Sequence, residues 1–382
     1  MTTNKLSDWD PRDNSILGNQ RESYDQMRKA CPVAHSDFLS WSLFRHRDVE
    51  EVLADPKTYS NASKHRAVPN GMDPPEHTRY RRAIDPFFTP ERMAAFESEA
   101  RRLASDLVDS MKSRSAIEFA SQFSGPFCSR SLCAFLGWPE DTWIPVLEWT
   151  HGNQEAALSR DRETGATLAR DLVNIVLNQV EARRRGDSGS QADLTTVLME
   201  TEVAGKRLTD EEIVGALRNW VAGHGTVAAG LEILMFHLVS NQELQQRLRS
   251  NPELIALAVD EILRMDGPLV ANGRTATADV QIGGRRIAAG ERLTLIWIAA
   301  NRDPEAFDNP DEIQLERDQG RSLLYGAGIH DCAGASLARL ELRVALEEIL
   351  AGTSAVELVA SGSPKRALYP SNGFVTLDLS FR

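Results

Sequence analysis

The run Leu324-Tyr-Gly-Ala-Gly-Ile-His-Asp-Cys-Ala-Gly334 decides how this 382-residue chain is read. One cysteine, Cys332, is fenced by Gly326, Gly328 and Gly334, with His330 two places before it. A helical pattern from Ala335 to Leu350 follows at once. The arrangement suits a thiolate held rigidly at a helix N-terminus and aimed at a metal. The helix dipole and the free N–H groups there lower a thiol's pKa and favour the anionic ligand form. Glycines let the backbone turn tightly and lie against something flat. A cysteine after a glycine turn can also be a plain buried thiol, the common fate of a free cysteine.

A haem iron bound through a cysteine thiolate fits every part of this run. The segment Tyr325-Gly-x-Gly-x-His-x-Cys-x-Gly334 resembles the haem-binding loop of the cytochrome P-450 family. Other constellations stand in that family's order. Glu261 and Arg264 share one helix face, which alone describes any surface ion pair. In this position they are similar to the family's E-x-x-R helix, with Arg317 as third partner, and imply a structural network. His77 and Arg81 stand i, i+4 in Asp73-Pro-Pro-Glu-His-Thr-Arg-Tyr-Arg-Arg82. Burying the two haem propionates needs donors, and Arg offers a planar fork while His offers an N–H. The resemblance assigns propionate binding to His77, Arg81, Arg274 and His330.

Ala222-Gly223-His224-Gly225-Thr226 lies within a helical pattern. Each mid-helix glycine costs about 1 kcal/mol relative to Ala. Such a cost is tolerated where something approaches the backbone, or where helices pack closely. The resemblance is to the oxygen-binding groove of the distal helix, where Thr226 would hydrogen-bond bound oxygen and relay protons. The family usually has Asp or Glu just before that threonine, and this chain has Gly225. Proton delivery would then use water chains or His224.

The resemblance implies a mostly α fold with a small β-rich lobe, the haem lying between the distal long helix and the proximal Cys-loop helix. It implies one haem domain over 1–382, with β-rich portions near 40–60, 270–300 and 355–382. Haem b is the implied cofactor. The implied activity is oxygen insertion into a small or medium hydrophobic substrate, by hydroxylation or oxidative dealkylation. Pocket walls would come from residues 60–72, Ala222, Leu269-Val270-Ala271 and the tip near Phe374. No cysteine cluster or flavin segment accompanies the haem motifs. Electrons would therefore come from a ferredoxin or flavodoxin with an NAD(P)H-dependent reductase. Arg79, Arg82, Arg339 and Arg343 would form its basic docking patch.

Composition excludes other classes. Lys+Arg 43 against Asp+Glu 55 gives a formal charge of −12, which argues against nucleic acid as a partner. The N-terminal residues are polar, without a signal-peptide core, and no apolar run of about twenty residues is expected. The implied location is cytoplasmic, with no membrane contact. Cys31, Cys128, Cys133 and Cys332 make no paired metal spacing, and Cys128 and Cys133 read as core.

Local signals predict several elements. Thr209 with Glu212 is a capping box that launches a helix to about Ser240. Thr89-Pro90 starts another helix. Residues 252–265 read as a helix ending at Gly267-Pro268, and 277–298 as strands turning at Gly283-Gly284. The C-terminal residues read as a hairpin through Pro370-Ser371-Asn372-Gly373. Two rival functions stay open: a haem-thiolate enzyme driven by peroxide, suggested by Gly225, and a non-catalytic haem sensor, disfavoured by Thr226 and the glycine groove.

Overall fold

The expected capping box forms. Thr209 Oγ1 accepts from the Glu212 N–H at 3.3 Å, and the Glu212 carboxylate accepts from the Thr209 N–H at 2.7 Å. Two of the helix's free N-terminal donors are thereby satisfied. The helix runs unbroken over Asp210–Ser240. This computed structural model describes residues 8–63, 67–112, 114–159, 161–187, 193–360 and 362–382. The expectations for residues 1–7 and 64–66 lie outside the described residues.

Helices dominate. Thr89 caps Pro90–Met111, and the helix Ala335–Gly352 that follows the Cys loop packs against it. The helix Ile255–Met265 ends before Gly267, as its sequence predicts. It and Ala335–Gly352 flank the long helix at Gly230. A Cβ there would meet Leu263 Cδ1 at 3.3 Å and Leu342 Cδ2 at 3.6 Å, so glycine permits this close approach. Phe127 to Leu136 lie in the helix Gly125–Leu136, with Cys128 and Cys133 buried as expected. Trp143–Ser159 and Arg162–Arg185 are further helices that no local signal above singled out.

The long helix corrects one expectation. Among the described residues it is long and apolar enough to cross a membrane. Of its apolar window, 67% is buried inside the protein, as befits a core helix.

Strands collect in small sheets. The largest has the order Val33–Ser36, Ser40–Leu43, Arg292–Ile296, Ala271–Ala276, Tyr59–Ser60. Only the pair Ser40–Leu43 and Arg292–Ile296 is parallel. Val280–Ile282 and Arg285–Ile287 form the hairpin that turns at Gly283-Gly284. Near the C-terminus, Lys365–Arg366 pairs with Phe374–Thr376, and Asp378–Phe381 pairs with Val356–Leu358.

Glu261 organises the segment leading to the Cys loop. Its carboxylate is fully buried beside an equally buried Arg264, with N–O distances of 2.8 and 3.0 Å. It also accepts from Arg317 Nε at 2.9 Å, the Gln314 N–H at 3.1 Å and Gln319 Nε2 at 2.8 Å. Burial alone would raise its pKa. The bonds from Arg264, Arg317, Gln314 and Gln319 outweigh burial and hold it below the ordinary range. Arg264 in turn donates to the carbonyls of Asn301 and Pro310. Removing one member of such a cluster leaves a buried charge uncompensated. Arg264→Ala is therefore expected to lower unfolding free energy by about 3–5 kcal/mol, read as a fall in the urea midpoint. The double variant Glu261→Gln, Arg264→Met should lose clearly less.

Candidate functional site

The Cys loop is held by its own backbone. The Cys332 N–H donates to the Tyr325 carbonyl at 2.8 Å, closing the loop on itself. Gly326 and Gly328 take φ of +72° and +73°, conformations that strain other residues. A Cβ on Gly328 would also stand 2.7 Å from the Leu53 carbonyl oxygen. Cys332 begins the turn into the helix Ala335–Gly352 and opens on a cavity of about 430 Å³. Its surface is exposed, and the residue also borders a smaller cavity beside Asp260 and Arg339.

The opposite wall is the long helix. Ala222 and Gly223 are exposed in a helix otherwise largely buried, because they face the cavity. A Cβ built on Gly223 meets nothing within 4 Å, so open space lies against the backbone there. Thr226 and His224 line the same cavity, as do Tyr325, Gly326, His330 and Arg274. Gly225 is buried and does not line it.

One side of the site gathers buried donors. His77 is 2% exposed and has no partner on either ring nitrogen among the described residues. His330 Nε2 is likewise buried and unpartnered, and the two rings lie 4.2 Å apart. Arg274 is buried and spends one nitrogen on Asn61 Oδ1 at 3.2 Å and its neighbour's carbonyl at 2.8 Å. Burial pushes His330 down to about 4, with His77, Arg274 and Arg81 adding to the effect. Buried donors of this kind ordinarily have partners, and a pair of carboxylates is the chemistry they fit.

Arg81 already has partners within the protein. It pairs with Asp85 and with Asp331 Oδ1 at 3.0 Å, and donates to the Asp331 carbonyl at 2.6 Å. Like His77, it does not line the cavity. Its guanidinium ties the helix Glu76–Ile84 to the Cys loop, because the loop presents a carboxylate and a carbonyl to its fork. The thiol also departs from expectation. Burial pushes Cys332 up, and the Gly334 N–H and Arg81 pull only partly the other way.

Two further corrections concern the surroundings. Phe374 is buried against Phe236 and, like Val270 and Ala271, does not line the cavity, whereas Pro69, Asn70 and Leu269 do. Of the four expected docking arginines, Arg79 and Arg82 are exposed without ion pairs among the described residues. Arg339 is clasped by Asp260 at 2.9 and 3.0 Å, and Arg343 by Glu97 and Glu347. Those carboxylates neutralise half the patch.

The comparisons with known proteins agree with the geometry. A model of the cytochrome P450 family matches residues 144–377. The chain belongs to the cytochrome P450 family. Cytochrome P450 109 of Bacillus spizizenii is 30% identical, over 90% of this chain and 87% of its own. Linalool 8-monooxygenase of Pseudomonas putida is 27% identical, over 89% of each. The structure of CYP109E1 from Bacillus megaterium, solved with testosterone, superposes with a TM-score of 0.83 at 26% identity, over 95% of this chain and 99% of that one. The fold is the P450 fold, the cofactor is haem b, and the protein is a haem-thiolate monooxygenase.

Sequence reasoning missed two buried carboxylates near the site, because nothing local marks them. Glu341, on the helix after the Cys loop, meets His224. Glu232, on the long helix, accepts from the Phe374 N–H at 2.7 Å and Ser124 Oγ at 2.8 Å. Burial pushes Glu232 up to about 7, against the pull of those two donors, with Glu118 adding to the rise. Unfolded, it ionises near 4.5. Between those values the folded chain holds the extra proton. Glu232 therefore contributes stability that is full below about pH 4.5 and lost as pH rises through about 7. Across that window the wild type should lose of order 3 kcal/mol relative to Glu232→Gln, measured by urea unfolding at a series of pH values.

Proposed function

We propose that this monooxygenase inserts one oxygen atom from O2 into a small or medium hydrophobic substrate, by hydroxylation or oxidative dealkylation. The observation that carries the site assignment is the opposition of Cys332 to Gly223 and Thr226 across one cavity, with orphaned donors gathered at its side. Residues 1–382 are read as one haem domain working in the cytoplasm.

Each residue then has a role. Cys332 Sγ is the iron ligand, and a coordinating cation deprotonates a thiol outright, whatever burial does to the free group. His77, His330 and Arg274 hold the propionates through buried N–H groups. Arg81 acts from behind them by fixing Asp331 of the loop. Tyr325 and Gly326 shape the loop under the ring, and Gly223 leaves room for a flat group against the long helix. Haem, when bound, supplies oxygen activation, and thiolate ligation favours O–O cleavage. Thr226 presents a hydroxyl to the cavity for holding and passing a proton. Gly225 brings no acid, so that proton comes from elsewhere.

The substrate class follows from the walls. Phe88, Phe135, Trp220, Val227, Leu269 and Trp297 line the cavity. They match an apolar or aromatic ligand. The names of two relatives, one acting on linalool and one solved with testosterone, support that class. Electrons come from a ferredoxin or flavodoxin with its NAD(P)H-dependent reductase, which docks near the unpaired Arg79 and Arg82. One feature favours a second reading. The missing acid at Gly225 suits a peroxide-driven enzyme, and turnover with hydrogen peroxide alone, compared with NADH plus redox partners, separates the two.

The deciding experiment is spectral. The reduced, carbon-monoxide-treated protein should show the Soret position of a thiolate-bound haem, and Cys332→Ala should abolish it while haem still binds. A spectrum unchanged in Cys332→Ala overturns the assignment. Arg274→Leu should keep the thiolate spectrum but release haem faster to apomyoglobin, by about tenfold for the loss of one charge-assisted contact.

A further inference from the structure

His224 sits in an unusual electrostatic position on the long helix. Its ring is 9% exposed, with Nδ1 3.0 Å from the Trp220 carbonyl oxygen and Nε2 3.2 Å from Glu341 Oε1. A carbonyl only accepts, so Nδ1 carries a proton. Nε2 and Oε1 must then share one more, as imidazolium with carboxylate or as imidazole with carboxylic acid. Glu341 is fully buried, and its Oε1 also accepts from Ser131 Oγ at 2.6 Å. Its second oxygen, Oε2, is buried and has no hydrogen-bond partner among the described residues.

A buried pair of this kind is poor evidence for stabilisation, since desolvation offsets the attraction. An unsatisfied carboxylate oxygen adds to that cost. Both residues line the cavity that Thr226 lines, and the residue between His224 and Thr226 has no side chain. The pair thus places one exchangeable proton beside the reaction cavity, where the long helix itself offers no carboxylic acid next to Thr226.

We propose that His224 and Glu341 form the proton-supplying pair of this enzyme, replacing the acid that position 225 lacks. The inference rests on the monooxygenase reading above. The proton on Nε2 passes to Glu341 Oε1, giving neutral imidazole and carboxylic acid. The last torsion of a glutamate side chain is broad and two-fold. A half turn about it presents the O–H at the place of Oε2, which has no hydrogen-bond partner among the described residues, on a side chain that lines the same cavity as Thr226. The pair reloads one proton from solvent, and the electrons come from the reductase partners. Burial pulls His224 down, but the Glu341 charge and hydrogen bond and the Trp220 carbonyl more than offset it, and the net direction is up. Cys128, on the helix Gly125–Leu136, feels the Glu341 charge too, and burial, with Glu341 and Glu232 adding to it, holds its thiol neutral.

The test compares wild type with Glu341→Gln, which keeps the shape and removes the acid, after the thiolate carbon-monoxide spectrum has been confirmed in both. That spectrum belongs to the haem-thiolate assignment and does not depend on the pair, so failure of the two can be told apart. Glu341→Gln should cut product formed per NADH consumed by about tenfold, the lower end of effects of general acids removed from a site being larger still. The lost equivalents should appear as hydrogen peroxide, and the solvent deuterium effect on turnover should change. A second readout needs no turnover. In the diamagnetic reduced carbon-monoxide form, 15N spectra should show His224 doubly protonated at pH values where a free imidazole is neutral, and singly protonated in Glu341→Gln. Where Glu341→Gln does not fold, His224→Gln is read by the same coupling ratio. Unchanged coupling and isotope effect with the thiolate spectrum intact, or a wild-type pair found without its shared proton, overturn the proposal.

Discussion

The Glu261 carboxylate has no water to solvate it, and much of the Cys side of the molecule is arranged around that fact. A buried carboxylate persists only if its lone pairs are met by donors of good geometry. Glu261 meets them with Arg264 from its own helix and with Arg317, Gln314 and Gln319 from the irregular segment before the Cys loop. Arg264 then reaches on to the carbonyls of Asn301 and Pro310. A stretch with little regular structure is thereby fixed at several points, and Leu323 is fixed through Asn301 Oδ1 at 2.7 Å. The Cys loop begins one residue later. The position of Cys332 is therefore set by a charge cluster far from it in sequence as well as by its own glycines.

The site is built on the same logic with the opposite sign. There the buried groups are donors, and the two histidines among them have ring nitrogens without partners among the described residues. His77, His330 and Arg274 come from a helix, the Cys loop and a strand, and buried donors that converge in this way fit an anionic ligand. Across the cavity the long helix gives up side chains where space is needed, at Ala222 and Gly223, and keeps polar ones at His224 and Thr226. Rigidity comes from the neighbours. Gly230 lets the helices bearing Leu263 and Leu342 close on the long helix one turn beyond Thr226. The groove can thus be open at one point and tightly packed at the next.

Much of this was legible in the sequence, and the reason is locality. The Cys loop, the capping box at Thr209 and the Glu261–Arg264 pair are each defined within a few residues, so spacing carries the geometry. Arg317 as third partner came through family resemblance and is present at 2.9 Å. What the sequence hid depends on distant pairing. His224 and Glu341 are 117 residues apart, and neither carries a local sign of the other. One partner of Arg81, Asp85, is a turn away, but the other, Asp331, lies 250 residues on. The Cys332 thiol was expected to be lowered by its helix terminus, yet burial dominates, and burial cannot be read from a motif. Phe374 failed as a wall residue for the same reason: its neighbours Phe236 and Arg366 turn it into the core.

Charge shows where local reading reaches its limit. Four arginines on an acidic chain suggest a basic docking face, but a face is a sum over neighbours. Arg343 lies in a network with Glu97, Arg101 and Glu347, and Arg339 gives its guanidinium to Asp260 while stacking 4.3 Å from the Tyr325 ring. These pairs are partly exposed and contribute little to stability. Their effect is on the field. Each paired arginine becomes a dipole whose influence fades well inside a Debye length, about 8 Å at physiological salt. Arg79 and Arg82, with no ion pair among the described residues, stand on the exposed side of the helix whose buried side carries His77. On the same helix, Arg81 fastens the neighbouring Cys loop through Asp331.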